Sequence, residues 1–357
     1  MKDCEILGTK LLCAETRAGM RISMRIGIVG CGGIASVHAG CIHQMKDQEL
    51  IAFADVKLER AETFKNQYGG NAYDSLEKMI EKEDIEVLHI CTPHYLHVSM
   101  AVYALEHGIH VFMEKPPAIS REQLAQLKKV QSDKRLGISF QNRYNPSVIE
   151  VKKLIDSGKT GKILGARGIV TWKRGAAYYS ESGWRGSLTT EGGGVLINQA
   201  VHTLDLLAYF LGTPISVDAV MANHHLKDVI EVEDMMEALI RFEGDKLACF
   251  YSTTSYCADV PPLIELCCEN MTIRMEDMEV CCYYPDGSMQ RLLLDQKEGY
   301  GKSYWGAGHY DCITDFYDSI ANNRPFALDL NGLNDTICLL LATYESARTG
   351  KEVTLQL

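Results

Sequence analysis

The sequence predicts an α/β domain built on a doubly wound parallel sheet, followed by an α+β domain carrying a large, mostly antiparallel open sheet. Three observations predict it. The chain has 357 residues, more than one ordinary core accommodates. Up to about residue 145 it alternates strand-length apolar runs with helical spacing. After Pro146, short strand-like runs follow one another through turns.

Taken in order, "MRIGIVG" from Met24 is a strand and "GCGGIASVHAGCIHQM" switches to helical spacing. "ELIAFAD" is a second strand and "LERAETFKNQYG" a helix closed by glycine. "IEVLHICT", the helix "YLHVSMAVYALEHG" and the strand "HVFMEKP" follow, and "SREQLAQLKKVQSDKRLG" with "ISFQNRY" adds another unit. Crossovers of this length exclude hairpins and imply parallel pairing. The second domain reads as a helix, "PSVIEVKKLIDSG", then strands from "ILGARGIVTWKR" to "MEVCCYYPDG". Helices at about 193–211 and 308–322 interrupt it, and "LNDTICLLLATYESARTG" closes it before the short strand "EVTLQL". The expected division is an extension over 1–23, a first domain over 24–145 and a second over 146–357.

Hydrophobic residues make up 46% and charged residues 23%, the balance of a globular chain. No apolar run is long enough to span a bilayer. The first residues have no apolar signal core, so the expected location is cytoplasmic. A net charge of −11 argues against nucleic-acid and anionic-membrane partners. The 13 cysteines include no C-x-x-C pair. Neighbours on a strand face opposite ways, so the doublets Cys267-Cys268 and Cys281-Cys282 read as buried thiols in a reducing compartment rather than as a metal site.

Gly30-x-Gly32-x-x-Ala35 stands between the first strand and its helix. The first glycine permits the turn, the second lets a pyrophosphate approach the backbone, and the small third residue lets helix and strand pack closely, as in a Rossmann domain. Gly33 and Ile34 open the helix, whose free N–H groups and positive dipole end suit phosphates. Asp55 ends the second strand, where a carboxylate binds ribose hydroxyls and repels a 2′-phosphate. NAD is the expected cofactor; Lys57 and Arg60 nearby keep NADP open.

With "CTPHYLH", Glu114-Lys115-Pro116, "GWRG" and "GGGVLINQAVHTLDLL" in the same order, the chain resembles the Gfo/Idh/MocA oxidoreductases from about residue 24 to its C-terminus. The resemblance implies a dehydrogenase for a ring hydroxyl of a sugar, glycoside or cyclitol, with Thr92, Pro93, His97 and Glu114 along the cofactor. It places Lys115 beside the nicotinamide, aimed by a commonly cis bond to Pro116 and hydrogen-bonded to the reacting hydroxyl. Such a group is needed because hydride leaves an alcohol carbon only as the O–H proton is lost. Many relatives carry asparagine at the position of His94, which then reads as a pocket wall. His97 reads as a first-turn residue holding a hydrogen bond.

On a helix, Asn198, His202 and Asp205 fall on one stripe, and buried polar groups there need partners or a task. In inositol dehydrogenase-like relatives the position of Asn198 is aspartate and that of His202 the histidine that takes the proton. Asn198 can orient a hydroxyl but cannot accept a proton, which leaves His202 as general base and Lys115 as relay or alternate. Arg143, Tyr144, Trp172, Tyr178, Trp184, Arg185 and His309 are candidates to line the substrate cleft, since aromatic faces beside polar groups suit a sugar ring. Trp172 and Trp184 serve equally well as core. Two other readings use the same residues: transient oxidation that enables elimination or epimerisation, and a dinucleotide-binding regulator without turnover. The imperfect alternation of "LIELCCEN" and "LACFYSTT" implies a homodimer or homotetramer formed through the sheet.

Overall fold

Six short segments between residues 24 and 139 pair as parallel strands in the computed structural model, which describes residues 23–276, 278–294 and 307–355. They are β1 (Met24–Val29), β2 (Gln48–Ala54), β3 (Asn71–Tyr73), β4 (Val87–Ile90), β5 (His110–Glu114) and β6 (Leu136–Ser139). Their spatial order is β3-β2-β1-β4-β5-β6, the doubly wound arrangement. Helices cover both faces, so β4 is buried along its whole length and is apolar except for His89. The order reverses between β1 and β4, and the C-terminal ends of these strands open the crevice where such sheets bind ligands.

β3 was not expected. At three residues, with no apolar run, it is an edge strand recruited by its neighbour β2. "ISFQNRY" is a strand only to Ser139, after which the chain turns through a short 3₁₀ segment, Gln141–Tyr144.

The second sheet has nine strands: β7 (Ile163–Thr171), β8 (Pro214–Ala222), β9 (Met235–Phe242), β10 (Lys246–Thr253), β11 (Leu263–Cys268), β12 (Thr272–Glu276), β13 (Glu279–Tyr283), β14 (Met289–Arg291) and β15 (Val353–Thr354). Their order is β14-β13-β12-β11-β7-β10-β9-β8-β15, antiparallel throughout except for the central pair β7–β10. Alternation gives the sheet a dry face and a wet one. Ala238, Ile240, Ala248 and Phe250 are buried, in a core to which the helices Val201–Leu211 and Asn334–Thr349 contribute. Val220 and Leu247 on the other face are exposed. Among the described residues no helix is long and apolar enough to cross a membrane.

Most of the expected extension, residues 1–22, lies outside the described residues. The cysteine doublets are not uniformly buried: Cys281 and Cys282 are, but Cys267 is exposed and Cys268 half-buried, with a register shift between the last two.

The single helix expected at about 193–211 is three pieces. A glycine turn leads into one π-type turn, Leu196–Ala200, and only then into the α-helix Val201–Leu211. The glycines explain the start. A Cβ on Gly192, which has φ of +86°, would lie 2.4 Å from Ile119 Cβ in the first half of the chain. On Gly193 it would lie 2.1 Å from the Tyr344 hydroxyl, and on Gly194 only 1.9 Å from the carbonyl oxygen of Glu233. Thus one glycine serves the approach to the cofactor half, and two serve packing within their own half.

We expect Gly193→Ala and Gly194→Ala each to destabilise the protein by about 1–3 kcal/mol, the usual range for overpacking. Thermal melts check this, and unchanged midpoints in both variants would contradict the packing described here.

Candidate active site between the two sheets

The glycine turn has the shape a dinucleotide needs. Gly30 has φ of +86°, and a Cβ there would lie 2.7 Å from the Cys91 backbone. Gly32 and Gly33 face open space, with nothing within 4 Å of an added Cβ. Gly32 caps the helix Gly33–His43 without a side-chain hydrogen bond, leaving its N–H groups available. Ala35 is fully buried, and Ile34 packs partly against the core. Asp55 is fixed at the end of β2, one oxygen accepting from Cys31 N and the other from Lys57 N, each at 2.9 Å. The residues present therefore fit a dinucleotide.

Across the crevice, Lys115 leaves the end of β5 through a cis bond to Pro116. Its Nζ donates to the carbonyl oxygen of Asn198 at 2.7 Å and stands 3.5 Å from Asn198 Oδ1. The π-type turn sets this geometry, because it changes the helical phase at Asn198 relative to the helix carrying His202. His202 packs edge-on against Phe140, and its Nδ1 is buried without a partner. His309, in the first turn of the helix Gly308–Ala321, is also buried with Nδ1 unpartnered. Lys115 lies close enough to shift the titration of both histidines.

Burial dominates the electrostatics. It lowers the pKa of Lys115; Glu114 and Glu191 oppose the shift, and Arg185 adds to it. Burial, then the charge of Lys115, brings His202 down to about 3. His309 falls to about 4 for the same first reason, with Glu114 opposing. Both imidazoles are neutral at pH 7. Burial opposes ionisation of Glu114, but the hydrogen bond from His38 and the charges around it hold the carboxyl well below the usual carboxylate range.

The remaining candidates divide. Tyr178, Trp184 and Arg185 join the site. Tyr178 OH accepts from Gln199 Nε2 at 3.1 Å, and the Arg185 guanidinium lies 4.3 Å over the Tyr178 ring and 5.1 Å over that of Trp184. Trp184 packs tilted against His94, with ring centroids 4.7 Å apart; His94 is a buried wall residue whose Nδ1 donates to the carbonyl oxygen of Glu191.

Arg143 is spent elsewhere. It grips both carboxylate oxygens of the fully buried Asp205, at 2.9 and 2.6 Å, so this pair is a structural clamp rather than part of the cleft. Tyr144 points to Asp315, with 2.6 Å between the oxygens. Trp172 is core, its Nε1 donating to Val260 O at 3.0 Å.

Three residues expected along the cofactor, His97, Thr92 and Glu114, are also occupied. The ring nitrogens of His97 lie 2.8 Å from Pro116 O and 2.9 Å from Thr92 O, and the one N–H of the neutral ring donates to one of these carbonyls, so this fully buried side chain is spent on the loops that flank the crevice. Thr92 Oγ1 faces Met100 Sδ, and Pro93 begins the turn that follows β4. Glu114 Oε1 meets His38 Nε2 at 2.9 Å, His38 Nδ1 meets His89 Nδ1 at 2.9 Å, and His89 Nε2 meets Tyr317 OH at 2.7 Å. One direction of donation satisfies the whole chain: Tyr317 to His89, His89 to His38, His38 to the carboxylate.

Glu191 was not anticipated at all. It is buried, its Oε2 accepts from Gly186 N and its Oε1 from Asn198 Nδ2. The only hint in the sequence was an acid directly before the three glycines, a position with no periodicity to interpret.

A glycine turn with the shape a dinucleotide needs thus faces a lysine and two neutral histidines in a chain of two-sheet architecture. Residues 24–139 match the oxidoreductase family with an NAD-binding Rossmann fold, and residues 148–274 match the GFO/IDH/MocA C-terminal domain. The chain belongs to the Gfo/Idh/MocA family. It is 31% identical over 198 residues to D-glucoside 3-dehydrogenase of Escherichia coli, covering 54% of this chain and 55% of that protein. It is 28% identical over 208 residues to inositol 2-dehydrogenase of Rhizobium meliloti, covering 56% and 59%. The matches thus span about half the length of these curated relatives. The crystal structure of the WlbA dehydrogenase from Bordetella pertussis, in complex with NADH and UDP-GlcNAcA, superposes with a TM-score of 0.82 at 28% identity, covering 94% of this chain and 99% of that one. Levoglucosan dehydrogenase in complex with NADH and levoglucosan shares the fold, with a TM-score of 0.84 at 22% identity over 94% and 99% of the two chains.

The buried neutral histidines have a consequence for stability. Their folded pKa values lie below the ordinary 6.5, so the unfolded chain binds more protons between pH 6.5 and about 4. Stability present above pH 6.5 is therefore lost as the pH falls through that window. His89, His94, His97 and His110 are lowered in the same direction, while two buried carboxyls oppose them, Glu191, raised to about 7, and Glu233, which burial also raises. We expect the thermal midpoint to drop between pH 6.5 and 4.5, and to drop less steeply in His309→Gln. A midpoint rising over that range would contradict the neutral assignment.

Proposed function

We propose that this chain is an NAD-dependent dehydrogenase that oxidises a secondary ring alcohol of a sugar, glycoside or cyclitol, with reduction of the keto-sugar as the reverse reaction. The observation that carries the reading is Lys115 Nζ, held by Asn198 beside His202 and His309 and opposite the glycine turn. The relatives named as D-glucoside 3-dehydrogenase and inositol 2-dehydrogenase support it.

The glycine turn from Gly30 to Ala35 and Asp55 would hold the dinucleotide. When bound, its nicotinamide supplies a two-electron acceptor for the hydrogen on the substrate carbon. The protein manages the other half of the balance. As the C–H bond gives up its electron pair, the O–H proton must leave so that C=O can form. Lys115 positions the hydroxyl, and its lowered pKa brings it towards the range of a useful proton acceptor. His202 is in the neutral form that accepts, but an imidazolium there is unfavourable, so Lys115 carries more of the proton than the sequence alone implied. Tyr178, Trp184 and Arg185 would form the wall against the sugar ring.

The outer face of the second sheet supports a homo-oligomer. Leu164, Val220 and Leu247 are exposed there, and Val220 lines a depression of about 440 Å³ with Ile169, Leu239 and Tyr251 and the charged Arg167, Asp218 and Glu237. Its covering is a second copy of the chain, as a homodimer or within a homotetramer; light scattering that shows a monomer at micromolar concentration would rule this out. Eleven free cysteines among the described residues accord with a reducing, cytoplasmic setting.

We expect Lys115→Ala and His202→Ala each to lower turnover by roughly 10²-fold or more while NAD affinity changes little. A screen of sugars, glycosides and cyclitols followed at the nicotinamide absorbance, with cofactor titration of each variant, checks this. Near-normal turnover in both variants would sink the mechanism. Carboxylate repulsion at Asp55 should make NAD bind more tightly than NADP, with Asp55→Ala narrowing the gap. Preference of the wild type for NADP would overturn the cofactor assignment.

A further inference from the structure

We propose that Glu191 is a positioning residue for the reaction: by accepting from the Asn198 amide it turns Asn198 Oδ1 towards Lys115, so that the pair Glu191–Asn198 supplies the acceptor and negative charge that Asn198 alone lacks. The proposal rests on the dehydrogenase reading above.

The geometry is specific. An asparagine amide has one donating and one accepting end, and its neighbours decide which way each faces. Asn198 Nδ2 is 2.5 Å from Glu191 Oε1, a carboxylate that can only accept when ionised. The opposite end, Oδ1, is thereby left on the side of Lys115 Nζ, 3.5 Å away. Reversing the amide would point an NH₂ at an ammonium and an oxygen at a carboxylate. Glu191 itself cannot swing away, because it is 1% exposed and its Oε2 is fixed by Gly186 N.

The charge also fits the chemistry. Once Lys115 has taken a proton, the ammonium gains from a negative charge two hydrogen bonds away, and Glu191 favours that charged form. Burial raises the Glu191 carboxyl to about 7, with the bonds from Gly186 and Asn198 and the charge of Arg185 opposing and Glu233 reinforcing the shift. The other groups around it are accounted for. Tyr178, Tyr179 and Tyr344 lie within its electrostatic reach, and His94, neutral, donates to its backbone oxygen rather than its carboxylate.

A purely structural Glu191 would tolerate glutamine, which can still accept from Gly186 N. The NH₂ introduced by that change, however, faces Asn198 and forces the amide to reverse, presenting a donor to Lys115. We therefore expect Glu191→Gln to fold with a near-normal thermal midpoint but lose about 10- to 100-fold in turnover, part of the general acid–base range. The limb of its pH–rate profile that belongs to Lys115 should move to lower pH, since a charge favouring the ammonium is gone. Adding Asn198→Asp to Glu191→Gln should recover much of the loss, because the introduced carboxylate accepts from the introduced glutamine amide and returns the negative charge. Competitive labelling of Lys115 with acetic anhydride across pH, read by mass spectrometry, reports the same shift and its reversal without relying on turnover. Glu191→Gln with wild-type pH and labelling profiles would overturn the proposal, as would a folded double variant no better than the single one. Wild-type protein that forms no NADH with any screened alcohol would instead count against the dehydrogenase reading, and the labelling profiles would still decide the role of Glu191.

Discussion

The contact between Lys115 Nζ and the carbonyl of Asn198 is the constraint around which the molecule is organised. It joins the end of a parallel strand to a turn in the other half of the chain, and so makes one crevice from two independently built sheets. A lysine ammonium is strongly hydrated, and drawing it partly out of water is unfavourable without acceptors. The surrounding architecture supplies them. The glycines bring the 192–200 segment close, the π-type turn sets its phase, and Glu114 and Glu191 offset the cost of the charge.

The site is consequently a lattice of buried polar groups whose members mostly have partners. Glu114 ends a chain through His38, His89 and Tyr317, while Asp205 is clamped by Arg143 and Thr336. Such networks are rigid when satisfied and costly when broken. Against that background the unpartnered Nδ1 atoms of His202 and His309 stand out, since an unpaired buried nitrogen is tolerated most readily where a substrate or its water will meet it.

Much of this was legible in the sequence, for identifiable reasons. Parallel strands buried on both faces leave continuous apolar runs, so β1, β2, β4 and β5 announced themselves; β3 has three residues at an edge and left no run to read. The glycine turn was legible because only glycine meets its steric demands at Gly30. The order of motifs pointed to Lys115, Asn198 and His202, and the structure brings Lys115 onto Asn198; His309 came only as one of several cleft candidates. Arg143 and Tyr144 were misplaced because residue type does not reveal which partner a polar side chain will find, while Trp172 took the core alternative left open for it. Arg143 met Asp205 and Tyr144 met Asp315, both distant in sequence. Glu191 escaped for the complementary reason: its importance comes from a short bond to Asn198 and its burial, neither of which has a sequence period.

The central claim is that the crevice built around Lys115 moves the hydrogen of a ring carbinol carbon to a nicotinamide. The most direct measurement supplies the protein with NAD and a sugar or cyclitol perdeuterated on carbon, then follows deuterium into the nicotinamide by mass spectrometry. One deuterium per turnover in the released reduced cofactor, together with one equivalent of keto product, is the expected result. Conversion of the sugar with no deuterium retained in the nicotinamide pool, or binding of both ligands with no conversion, would contradict the account.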